Sequence, residues 1–110
     1  MNTLLTVDQL PIAIDMEHLR QFCRRWHITE LSLFGSVLRP DFQSASDVDV
    51  LASFDPQVHH SLADLVTMQE EIETLFHRPV DLISKTGLER SRNYIRRQAI
   101  LESARPIYVA

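Results

Sequence analysis

The stretch SASDVDVLASF, residues 44–54, decides how this chain is read. Val48, Val50, Leu51 and Phe54 have the character of a strand entering a core, while Asp47 and Asp49 sit at alternate positions along it. Side chains alternate faces along a strand, so the two acids leave one face and the valines the other. Strand rise puts the acids about 7 Å apart. At that distance two carboxylates can share a cation, and without one they repel. A hard divalent ion resolves the repulsion, and Mg²⁺ is typically held by one or two carboxylates together with substrate phosphates.

Outward from this strand the pattern is strands alternating with helices. Leu19, Phe22, Cys23 and Trp26 recur at helical spacing, predicting a helix over residues 15–26. LSLF, residues 31–34, is a short strand ended by Gly35 and expected to neighbour 47–54. Ser61 with Asp64 three residues on has the form of a capping box, opening a helix that Pro79 prevents from continuing. VDLIS, residues 80–84, is a further strand. An arginine-rich helix is expected over residues 88–104, ending before Pro106, with a short final strand at 107–109. The fold class implied is α+β, an α/β sandwich with a small mixed sheet of three to four strands packed with helices.

Composition sets the bounds. The 110 residues, 45% hydrophobic, are expected to form a single domain over 1–110. No apolar run approaches the length of a membrane span, and the first residues lack a secretory pattern, so a cytoplasmic protein is expected. Cys23, the only cysteine, excludes an internal disulfide and a thiolate metal cage, and reads as core. The net charge of −4 does not suggest direct DNA binding, but it is unevenly spread. Residues 1–84 carry thirteen acids and five bases, whereas residues 85–110 carry six bases and two acids.

Asp81 repeats the motif of Asp49, an acid flanked by aliphatic residues on an expected central strand. Three such acids from two strands would hold a pair of metal ions or deprotonate an attacking hydroxyl beside one. Upstream, Gly35 allows the backbone to turn tightly, and Ser36 supplies a hydroxyl and an N–H where a short helical turn would point N–H groups at an anion. A triphosphate fits such a place, and the chemistry suggested is phosphoryl or nucleotidyl transfer.

The arrangement of Gly35-Ser36, ten residues, Asp47-x-Asp49 and a later Asp81 resembles the DNA polymerase β-like nucleotidyltransferase superfamily, and within it the minimal nucleotidyltransferases that are MNT antitoxins of HEPN toxins. The likeness runs from about Leu31 to Asp81, with weaker similarity through ILESARPIYVA at the end. It implies a nucleotidyltransferase fold, phosphate binding by Gly35, Ser36 and Arg39, and Mg²⁺, as two ions, held by Asp47, Asp49 and Asp81. It also implies transfer of AMP from ATP to a tyrosine of a partner HEPN ribonuclease toxin. Val37 and Pro40 stand where many relatives have a basic residue and a glycine, leaving Arg39 as the only cation of the loop. Two alternatives stay open: neutralisation by complex formation with little or no catalysis, and transfer to a small molecule or an RNA end.

Other residues invite blander readings. Asp47-x-Asp49 is not an EF-hand, since the expected glycine and distal glutamate are missing. His59 and His60 lack further ligands at metal spacing and read as loop before the helix. Asp41 is either a loop-orienting group or a turn residue. Arg90, Arg92, Arg96 and Arg97 read as a solvated helix face or, with Arg92 and Arg96 four apart, as a docking surface for an acidic partner.

Overall fold

The computed structural model describes residues 10–40, 42 and 46–110. In these, the chain runs α1 (Met16–Arg25), β1 (Ile28–Phe34), a 3₁₀ turn (Gly35–Leu38), β2 (Val48–Phe54), α2 (Leu62–Phe76), β3 (Val80–Ser84), α3 (Lys85–Glu89), α4 (Tyr94–Ser103) and β4 (Arg105–Val109). The expected α+β class holds. The four strands lie in the order β3-β2-β1-β4. β1 pairs antiparallel with both β2 and β4, and β2 pairs parallel with β3, which is reached through α2.

Alternation along the strands sorts the sheet into two faces. Leu31, Leu33, Val48, Val50, Ala52 and Val80 bury one face under α1 and α2, which contribute Leu19, Phe22, Cys23, Met68, Ile72 and Phe76. Cys23 is fully buried there, and that burial pushes its thiol up to about 12, so it is core, as its helix position implies. The opposite face carries a smaller cluster in which Phe34 and Leu51 meet Leu88 of α3, Ile100 of α4 and Ala104. This cluster covers only part of the face.

The helix starts follow the sequence closely. Asp15 caps α1 by accepting from the N–H groups of Glu17 and His18. Ser61 and Asp64 form both halves of the capping box on α2. From α2, Gln69 reaches the outer edge of β3, its amide donating to Val80 O and accepting from Leu82 N at 3.1 Å, while Glu73 Oε2 accepts from Val80 N at 3.0 Å. The edge strand therefore finds on a helix the partners it lacks from another strand.

Three expectations need correction. The single helix over 88–104 is two helices, because short polar side chains offer the backbone other partners between them. Ser84 caps α3 through Gly87 N, Ser91 Oγ accepts from Asn93 N, and Asn93 Oδ1 caps α4 through Arg96 N. Arg97 fastens the break by donating to the carbonyls of Glu89 and Ser91. Arg92 consequently lies before α4, and the shared helix face expected for Arg92 and Arg96 does not exist. Two strands are also longer than expected: β1 begins at Ile28, and β4, at the sheet edge, begins at Arg105 with Pro106 inside it, which an edge strand tolerates.

Candidate active site

The site is built where β1 ends and β2 and β3 run side by side. Phe34 is registered with Asp49 across the antiparallel pair, and Asp49 with Asp81 across the parallel one. Asp49 and Asp81 therefore leave the same face of the sheet, the one that α3 and α4 only partly cover. Asp47 lies just before β2 and is exposed, and Asp49 is half-buried.

Gly35 follows Phe34 and so stands directly against Asp49. Its φ is +75°, a backbone conformation open to glycine, and a Cβ placed on it would collide with Asp49 Oδ2. The turn and the acid are packed backbone against carboxylate. The expected helical turn is present as the 3₁₀ segment, closed by Arg39 N donating to Ser36 O at 2.9 Å. Val37, in the same turn, points into the main core and is 2% exposed.

The electrostatics follow from this packing. Burial first, then the negative charges of Asp81 and Asp47, hold the Asp49 carboxyl above its usual range, while Arg96 and Arg39 pull it back. All three acids and two cations thus act on one point. Among the described residues no three His, Cys, Asp or Glu side chains are gathered into a ready ligand set, so the three acids meet through charge rather than around a shared centre. The donor set nonetheless fits a hard divalent ion: it is all oxygen, and the excess negative charge that raises Asp49 is what such an ion relieves.

Of the remaining candidates, Asp41 lies outside the described residues. His59 and His60 lie in the loop before α2, as expected, and His60 is packed within it: its ring stands edge-on against Trp26 and Phe54, and its Nε2 lies 2.8 Å from Trp26 O. Arg96 was read only as surface, yet it is one of the two cations that act on Asp49. Its four-residue spacing from Ile100 was the signal available.

A glycine turn packed on a strand acid, with a second acid registered beside it, is the arrangement expected of a nucleotidyltransferase site. Residues 15–106 match the nucleotidyltransferase domain family, and the chain belongs to it. Among individual proteins it is similar to the protein adenylyltransferase MntA of Thermococcus cleftensis, 30% identical over 86 residues, which are 78% of this chain and 84% of the relative. The fold also matches a chain of a crystal structure of a toxin–antitoxin with AMP-PNP, at a TM-score of 0.66 and 13% identity, over 88% of this chain and 75% of that one. A chain from a rebuilt structure of tri-AMPylated Shewanella oneidensis HEPN toxin in complex with MNT antitoxin matches at a TM-score of 0.57 and 14% identity, over 86% of this chain and 69% of that one.

Proposed function

We propose that this protein is an antitoxin that transfers AMP from ATP to a tyrosine of a partner HEPN toxin and thereby neutralises it. The observation that carries the reading is the registered pair Asp49 and Asp81 with Gly35 packed on Asp49. Similarity to a protein adenylyltransferase supports the reaction, and the fold shared with toxin–antitoxin structures supports the partner.

In this mechanism Gly35, Ser36 and Arg39 hold the triphosphate, and Asp47, Asp49 and Asp81 hold magnesium, as two ions. When bound there, magnesium neutralises charge on the α-phosphate and on the departing pyrophosphate. The tyrosine hydroxyl of the partner attacks the α-phosphorus, an O–P bond forms, the bond to the β-phosphate oxygen breaks, and pyrophosphate leaves. Asp81, exposed at the rim of the site, takes the phenolic proton.

The test is transfer of label from α-labelled ATP to a co-purified HEPN partner in the presence of magnesium, with the Asp47→Asn, Asp49→Asn double variant as control. Label on the partner with wild type alone supports the reading, and equal labelling by both proteins refutes it. A second reading, neutralisation by occlusion, is favoured by Val37, whose burial leaves the turn without a cation directly after Ser36. It predicts neutralisation without ATP and only at stoichiometric ratios.

A further inference from the structure

The turn that is to hold the triphosphate carries little positive charge of its own. Val37 is buried in the core, and Arg39 is the cation that remains in the turn region. A second cation reaches the site from a distant part of the chain.

Helix α4 is laid on the sheet by Ile100, which packs in one cluster with Phe34 and Leu51. Arg96 is four residues earlier, on the same side of the helix and one turn, about 6 Å, back along its axis. Asp49 is two residues before Leu51, on the same face of β2 and about 7 Å back along the strand. Ile100 packs on Phe34, the residue registered with Asp49, and on Leu51, so the face of α4 that carries Arg96 lies over the strand ends that hold the acids. Its neighbour Arg97 is occupied with the carbonyls of Glu89 and Ser91. The Arg96 side chain is exposed and, among the described residues, forms no hydrogen bond or ion pair.

We infer that Arg96 is a substrate-binding residue that clamps the β- and γ-phosphates of the nucleotide and holds the pyrophosphate as it leaves. This rests on the nucleotidyltransferase reading of the same site and adds a residue to it. A guanidinium offers a planar fork of donors suited to phosphate oxygens and stays charged throughout the reaction. Placed on α4, it supplies from above the charge that the turn lacks at position 37.

The experiment measures binding to the protein alone, so that it does not depend on transfer to any partner. Calorimetric titration with ATP and with inorganic pyrophosphate, each with magnesium, is run on wild type, Arg96→Ala, Arg96→Lys and Arg92→Ala, after thermal melts confirm that all are folded. Arg96→Ala should weaken both ligands about tenfold or more, the size expected for a charge-assisted hydrogen bond. Arg96→Lys should recover part of the loss, and Arg92→Ala should match wild type. Wild-type affinity in Arg96→Ala overturns the inference. So does a variant that only binds manganese more tightly in the absence of nucleotide, which would make Arg96 a counter-ion of Asp49 and nothing more. Nucleotide bound by wild type without AMP transfer to the partner would refute the proposed function while leaving Arg96 to be judged on the binding ratio. A wild type that binds neither ligand would refute both.

Discussion

Asp49 and Asp81 are registered across the parallel pair of β2 and β3, two carboxylates side by side on one face of a sheet. Parallel neighbours lie about 4.8 Å apart at the backbone, too close for two charges to coexist without cost. Folding brings the acids together although their mutual repulsion opposes it, a cost that a bound cation would relieve.

Asp49→Asn should therefore separate stability from activity. Removing one charge of the cluster relieves repulsion, so the metal-free protein should gain stability, by no more than about 1 kcal/mol after solvent screening. Transfer of AMP should be lost. Thermal melts without metal, paired with a labelling assay, check both halves, and a less stable variant would mean that Asp49 is bound in a network of another kind.

The pH dependence follows from the same carboxyl, which the fold holds above its usual range. The native state keeps this proton at pH values where the unfolded chain has lost it. Its contribution to stability is thus full below the ordinary carboxylate value and is lost as pH rises to the raised one. Metal-free protein should lose stability across that interval, and Asp49→Asn should lose less. Added magnesium should stabilise wild type more at neutral pH than in acid, because binding must displace the proton. Urea midpoints with and without magnesium, from about pH 4 to pH 7, measure this.

Gly35→Ala should damage both fold and site. The alanine would sit at φ +75° with its Cβ driven into Asp49 Oδ2, a combined cost of about 1–3 kcal/mol. Adding Asp49→Ala should return the part due to the collision, leave the part due to the backbone, and restore no activity. A double variant no more stable than Gly35→Ala would show that the contact is not the source of the cost.

Much of the site could be read from residues alone because its signals are local. Asp47-x-Asp49, Asp81 between aliphatic neighbours and Gly35 after a strand each announce themselves within a few positions, as does the Ser61 cap. What escaped was decided over longer range or by competition. The break at 90–93 depends on Ser91, Asn93 and Arg97 outbidding a helical ladder that Leu88 and Ile100 appeared to continue. The spacing of Arg96 from Ile100 puts the two on one side of α4, but where that side lands depends on how Ile100 docks on Leu51, a contact remote in sequence. The packing of His60 within its loop escaped because Trp26, one of the two rings it meets, lies 34 residues away in sequence.

His60→Ala tests that last point. The side chain is only 10% exposed, wedged between two aromatic rings and bonded to Trp26 O, so its loss should cost about 1–3 kcal/mol. Magnesium-dependent stabilisation should be unchanged, since the histidine packs at the far ends of β1 and β2 from Asp49. A His60→Ala protein that melts normally but no longer responds to magnesium would reverse this assignment.

The edge of β3 provides a test of how Asp81 is kept in place. Gln69 satisfies Val80 O and Leu82 N, the backbone groups on either side of Asp81 that face away from β2. Gln69→Leu keeps the bulk of the side chain and removes both partners, leaving two edge groups of β3 unpaired at about 1 kcal/mol or more each where they are shielded from water. β3 should then fray before the rest of the sheet, and hydrogen exchange should quicken at Leu82 while Val50 and Leu33 stay protected. Because Asp81, the proposed proton acceptor, rides on this strand, AMP transfer should slow more than ATP binding weakens. If exchange at Leu82 is unchanged, β3 is held by its pairing with β2 alone, and Gln69 does not position Asp81.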